Sequence, residues 1–140
     1  MKEFDYFHPY IQWKTPLVKE RAKYMSSQCV EIMNDQAAWC EDRKIPYLIT
    51  ETVTTLDEDR NLKRTSRTHR EGRAWDISVR GWLELAIEEF MREFSKRFEH
   101  VAAVGGKTGK PELIVRHVGS ADHMHVQIGK VFGVANPLKS

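Results

Sequence analysis

Apolar residues recur at helical spacing early in the chain, at Val18, Ala22, Met25, Cys29, Ile32 and Cys40, with Met33 and Ala37 beside them. Positions three and four apart share a helix face, so this stripe predicts a helix with one buried side. Thr15-Pro16 supplies its start, the threonine as N-cap and the proline at the first helical position. Lys44-Ile45-Pro46 supplies its stop. The predicted helix runs from 16 to about 42. The period then changes. Tyr47 to Thr54 is rich in β-branched residues and predicts a strand. Residues 55–68 are polar and charged and predict a long loop, a kind of segment that is usually functional or mobile.

From Ala74 to Val79 the pattern alternates. Trp75, Ile77 and Val79 are apolar, whereas Ala74, Asp76 and Ser78 are small or polar. Side chains alternate faces along a strand, so this is a half-buried strand that turns Asp76 away from the core. Gly81 breaks it. A second helix follows from Trp82 to about Glu99, with Leu83, Ala86, Ile87, Phe90, Phe94 and Phe98 inward and Glu88–Arg92 and Glu93–Arg97 paired on the wet side. Val101 to Val104 could form a short strand. Glu112 to Val118 and Met124 to Ile128 predict two more strands, and their short connection predicts an antiparallel hairpin. On the last strand His123, His125 and Gln127 share one face, and Met124, Val126 and Ile128 the other.

At 140 residues the chain is one domain's worth, read as a single domain 1–140 with an extended aromatic arm over 1–14 and an irregular tail over 130–140. A net charge of +2 fits a polyanionic partner without demanding one. Arg60, Lys63, Arg64, Arg67, Arg70 and Arg73 recur closely, but three acids precede them and no aromatic residues interleave. A nucleic-acid partner is therefore not expected. The first six residues carry acids and no apolar run, so no signal peptide is expected and synthesis is placed in the cytoplasm. No apolar stretch is long enough to span a bilayer. Cys29 and Cys40, three turns apart on one helix, would sit roughly 16 Å from each other, too far for a disulfide. Gly105 to Pro111 resembles a phosphate-binding loop only superficially, because the spacing is incomplete and no helix follows.

The chemistry concentrates in two stretches. Thr68-His69-Arg70-Glu71-Gly72-Arg73-Ala74-Trp75-Asp76 offers a histidine and a carboxylate around a glycine. Asp122-His123-Met124-His125 offers an acid and two histidines. A hydrolytic zinc site needs about three protein ligands and an open position, and His69, Asp76 and His125 supply that set. A neighbouring carboxylate must then move the proton of the attacking water. Asp122 is the first candidate base, on the argument that a strand's first residue can turn off the pleat. His123 is the rival, because by parity it shares the face of His125. His117, on a neighbouring strand, could support the site from outside.

The run His69-x-x-Gly72-x-Ala74-x-Asp76 followed by Asp122-x-x-His125 resembles the zinc D-alanyl-D-alanine carboxypeptidase family, over roughly residues 45–129. That family includes the small phage L-alanyl-D-glutamate endopeptidases used as endolysins and shares its fold with the Hedgehog signalling domain. The resemblance implies an α+β fold with an antiparallel β-sheet and two main helices packed mainly on one side. It implies zinc on His69, Asp76 and His125, with Asp122 as base, and hydrolysis of a peptide bond in the stem peptide or crosslink of peptidoglycan. A monomeric endolysin, made in the cytoplasm and acting on the cell wall after release, is the expected setting. Two positions depart from the family. Arg67 stands where its serine would be, and threonines stand near Val53-Thr54 where an arginine usually polarises the scissile carbonyl. Arg67 or Arg64 is expected to replace that arginine from the long loop. The second reading is a non-catalytic zinc domain that binds a cell-wall peptide or a protein partner.

Overall fold

Two serines cut the first predicted helix in two. The computed structural model describes residues 6–119 and 121–134. In it α1 spans Pro16–Ala22 and α2 spans Ser27–Arg43. Thr15 caps α1 as expected, its side chain accepting from the Val18 amide. After Ala22 the chain makes tight turns, Tyr24 N–H to the Arg21 carbonyl and Met25 N–H to that of Ala22. Ser26 is extended and recaps the chain, its hydroxyl accepting from Cys29 N–H at 3.3 Å. Its own N–H donates to the Gly72 carbonyl at 2.9 Å. The single helix over 16–42 is thus corrected to two, because a cap and a tertiary hydrogen bond at Ser26 outweigh helix continuity. The apolar stripe survives the break: Ala22, Met25, Cys29, Ile32, Met33, Ala37 and Cys40 are all buried. Lys44, in the left-handed region at φ 57°, ends α2. Both cysteines lie on α2 as free buried thiols, and burial pushes each up to about 12, so neither is a thiolate.

Among the described residues the sheet has five strands: β1 (Gln12–Trp13), β2 (Leu48–Glu51), β3 (Ala74–Ser78), β4 (Ile114–His117) and β5 (His123–Gln127), in the order β1-β2-β3-β5-β4. Three pairings are antiparallel, but β1 runs parallel to β2. The antiparallel sheet is therefore corrected to a mixed one. Part of the expected arm is an edge strand, with Gln12 N–H donating to the Tyr47 carbonyl and Lys14 N–H to that of Ile49, both at 2.9 Å.

The expected 55–68 loop contains a helix, α3 (Leu56–Asn61). Thr55 and Glu58 form a capping box, each side chain accepting from the other's backbone N–H. Such reciprocal caps satisfy two otherwise orphaned donors, which lets a six-residue helix persist. The helix α4 covers Glu84–Arg97, two residues later than expected. Leu83, expected inward, is 78 % exposed because it precedes the first turn. Trp82, expected to open that helix, precedes it; it is half-buried and donates from Nε1 to the Pro46 carbonyl at 3.0 Å. Ile87, Phe90, Phe94 and Phe98 form the buried face, and Glu93 pairs with Arg97 at 2.6 Å. Residues Glu99–Val101 form a 3-10 turn instead of the start of a strand, and the chain beyond makes only single bridges, Ala102 to Ile128 and Val104 to Pro111.

One core results. Ile49, Trp75, Ile77, Met124 and Val126 from the sheet join the apolar faces of α2 and α4, which meet through Trp39 against Phe90 at 5.4 Å. Burying such side chains contributes about 1.5–3 kcal/mol each before chain entropy is subtracted. Trp75 Nε1 donates to the Tyr47 hydroxyl, which donates in turn to Gln36 on α2. Alternation along β3 and β5 therefore leaves the opposite sheet face to Asp76, His123, His125 and Gln127. Among the described residues no helix is long and apolar enough to cross a membrane. The expected tail over 130–140 is described only to Val134, whose N–H donates to the Glu71 carbonyl at 2.9 Å.

Candidate metal centre

The turn before β3 sets the first donor. Glu71 N–H donates to the Arg67 carbonyl, Gly72 N–H to that of His69 and Arg73 N–H to that of Thr68, folding residues 67–73 into a tight knot. Gly72 sits at φ +68°, and a Cβ there would lie 2.8 Å from both the Tyr24 carbonyl oxygen and Val134 Cγ2. A left-handed φ and a close backbone neighbour both require glycine. Gly72→Ala is expected to destabilise the fold by about 1–3 kcal/mol. It should also weaken metal retention, since His69 lies three residues away in the same turn. Urea denaturation of the variant beside wild type checks this, and an unchanged midpoint would refute it.

His69 and Asp76 are both buried, and His125 is half-buried. Asp76 and His125 are direct cross-strand partners of β3 and β5. Asp76 Oδ1 lies 3.2 Å from His69 Nε2 and 2.9 Å from His125 Nδ1. His69 Nδ1 donates to the Thr52 carbonyl at 2.6 Å, because a carbonyl can only accept. That bond fixes the ring and aims Nε2 at Asp76, the support a metal-binding histidine usually has. On the far side of His125, Nε2 meets Thr68 Oγ1 at 3.3 Å and Gln127 Oε1 at 3.1 Å. Burial alone would raise the Asp76 carboxyl, but hydrogen bonds from His125 and His69 hold it well below the usual range. Burial alone would lower the His69 imidazole, yet the bond to Asp76 and the charges of Asp76 and Glu51 raise it. Without metal, an ionised Asp76 is thus matched by a protonated His69.

The three donors lie within 4.8 Å of one another. Two imidazole nitrogens and a carboxylate, converging at the bottom of a cleft with one ring already oriented, could hold a metal ion, and the donor types suit zinc. The cleft has a volume of about 570 Å³. Lys63, Arg64 and Ser66 line it together with His117, His123 and Gln127.

The two sequence stretches therefore meet, but not every expected residue comes with them. His123 faces the cleft, its Nε2 3.8 Å from Asp76 Oδ2 while its Nδ1 donates to the Ala121 carbonyl at 2.8 Å. His117 stacks on it with ring centroids 5.1 Å apart. Asp122 does not line the cleft. Its carboxylate accepts from Arg116 Nε at 3.1 Å and Nη2 at 2.7 Å, and the same guanidinium holds Glu84 on α4. The carboxylate expected as base is thus paired with Arg116, on the α4 side. Arg67 is exposed and outside the cleft, whereas Arg64 lines it. Glu51, not singled out in the sequence, stands 3.3 Å from His69 Nε2.

These features define the class: an α+β domain with a candidate three-donor metal centre at the bottom of an open cleft. Compared with models of known protein families, with characterised proteins and with solved structures, the chain matches none.

Proposed function

We propose that the chain is a zinc-dependent peptidase of the D-alanyl-D-alanine carboxypeptidase and L-alanyl-D-glutamate endopeptidase type, with the Hedgehog-like fold of that group. Its substrate is a peptide bond in the stem peptide or crosslink of bacterial peptidoglycan, and its setting is a phage or prophage endolysin. The observation that carries the reading is the convergence of His69, Asp76 and His125, from two stretches far apart in sequence, at the bottom of one cleft. A bound zinc ion supplies Lewis acidity towards a carbonyl and towards water. His69, oriented by the Thr52 carbonyl, would hold it together with Asp76 and His125. His123 is the proton acceptor: its Nδ1 is engaged by the Ala121 carbonyl, which leaves the Nε2 lone pair facing the cleft. Arg64 and Lys63 give the cleft lining positive charge, suited to the carboxylates of a stem peptide.

The experiment is mass spectrometry of sacculi digested by the zinc-loaded protein, with His123→Ala and Asp122→Asn alongside. New amine ends are expected from wild type and from Asp122→Asn. His123→Ala should retain zinc and lose about 100-fold or more in rate, the usual contribution of a general base. Zinc retained with no new amine ends from wild type would sink the peptidase reading. It would leave a non-catalytic zinc domain that binds a wall peptide, the reading favoured by the Arg116 hold on Asp122.

A further inference from the structure

A β-bulge decides where Glu51 points. In the pairing of β2 with β3, Ile49 faces Ile77, but Glu51 faces Asp76, so one extra residue of β2 sits between the two pairs. By simple alternation Glu51 would share the face of Ile49, which is fully buried in the core. The extra residue turns it onto the opposite face, beside Asp76. Bulges often re-aim side chains next to functional sites. Glu51 Oε1 ends 3.3 Å from His69 Nε2, as close as Asp76 Oδ1 comes to that same nitrogen at 3.2 Å. Ligand atoms sharing one tetrahedral zinc ion lie about 3.3 Å apart, from bond lengths near 2.0–2.1 Å. Glu51 therefore stands at ligand distance from one donor. Yet the set of donors that are all mutually close contains His69, Asp76 and His125 and excludes Glu51.

Arg64 accounts for the offset. Its Nη1 lies 2.7 Å from Glu51 Oε1, and 3.7 Å from Asp59 Oδ1 behind it. Glu51 Oε1 and Arg64 Nη1 are both shut off from solvent, and neither makes a well-aligned hydrogen bond. The contact is held chiefly by charge, in a place where an unpaired carboxylate would be costly. Asp59 in turn accepts from Thr54 Oγ1 at 2.8 Å, so the guanidinium is anchored to the start of α3.

We propose that Glu51 is a latent fourth ligand of the metal centre, and that Arg64 is a positioning residue that holds its carboxylate aside and keeps the fourth position open. The inference rests on the metal centre proposed above. With Arg64 in place, the half-buried carboxylate has a cation of its own. Without Arg64, an ion held by His69 would be the cation at hand for Glu51 Oε1, which already stands 3.3 Å from His69 Nε2. The cleft would then keep its metal and lose the position that water and substrate need.

The test uses the full chain loaded with cobalt(II), whose visible spectrum reports coordination, and azide as an anionic probe of the open position. Wild type is expected to change its spectrum on azide addition. Arg64→Ala, and Arg64→Met, which retains the aliphatic bulk should the smaller variant not fold, are expected to lose that response. Both should bind zinc more tightly than wild type in competition with a chromophoric chelator. The double variant Arg64→Met/Glu51→Gln should regain the azide response and wild-type zinc affinity. An undiminished azide response in a folded Arg64 variant, or a response lost in the double variant as well, overturns the proposal. Failure of the wild-type protein to bind zinc or cobalt at all would instead overturn the metal centre on which it rests.

Discussion

Asp76→Ala is expected to strip the centre of its metal, with zinc affinity falling at least about 100-fold, the upper end of what losing even a supporting residue costs. The reason lies in how much converges on one oxygen. Asp76 Oδ1 meets both His69 Nε2 and His125 Nδ1, so the carboxylate is at once a donor and the group that orients the second ring. Alanine removes the anionic donor and unpins His125, whose other nitrogen meets Thr68 and Gln127. Two imidazoles remain, a pair too few for a zinc site of the usual kind. Zinc retained after dialysis against a competing chelator, measured by mass spectrometry of the metal, gives the result. A variant that keeps stoichiometric zinc would remove Asp76 from the centre. His69→Ala should lose metal similarly, because its ring is the one the Thr52 carbonyl has already placed.

The largest effect on folding is expected behind the same strand. Trp75→Ala should cost about 3–5 kcal/mol, the range for deleting a fully buried tryptophan. Its ring is wholly buried beside Ile77 and Met124, and its Nε1 donates to the Tyr47 hydroxyl at 3.2 Å. The substitution leaves both a cavity and a buried hydroxyl short of a donor. A domain of this size has about 5–15 kcal/mol of net stability, so the variant should be close to unfolding. Trp75→Phe retains most of the volume and should lose distinctly less. Urea melts with matched slopes would separate the three proteins, and a loss below about 1 kcal/mol for Trp75→Ala would contradict this packing. Metal binding should weaken along with stability, because Trp75 anchors β3 from behind while Asp76 projects forward from the next position.

The alternation of Trp75, Ile77 and Val79 against Asp76 and Ser78 is visible in the amino-acid order, and the sheet keeps it. So is the shared face of His123, His125 and Gln127. Strand parity is a local property, set by backbone geometry with a period of two. The helical stripe from Val18 to Cys40 was equally legible, and from Ala22 onwards its residues are buried in spite of the break at Ser26, with Val18 half-buried at the edge. The break could have been suspected from Ser26-Ser27, but the bond from Ser26 N–H to the Gly72 carbonyl could not, since it joins segments far apart in sequence. Likewise the T-x-x-E box of Thr55 and Glu58 was a readable cap inside a stretch that composition alone makes a loop.

The candidate site divides the same way. From the amino-acid order came the three donors and the rivalry of Asp122 with His123, because spacing and parity are short-range quantities. Only the tertiary structure decided that Arg116 draws Asp122 towards α4, that Arg64 and not Arg67 reaches the cleft, and that β1 joins the sheet in parallel. It alone placed Glu51 beside His69, through a bulge that reverses parity at a single residue. Each of these depends on a partner remote in the chain. A charged side chain has many partners of nearly equal value in solution, and folding selects among them by position and burial, which the order of residues does not express.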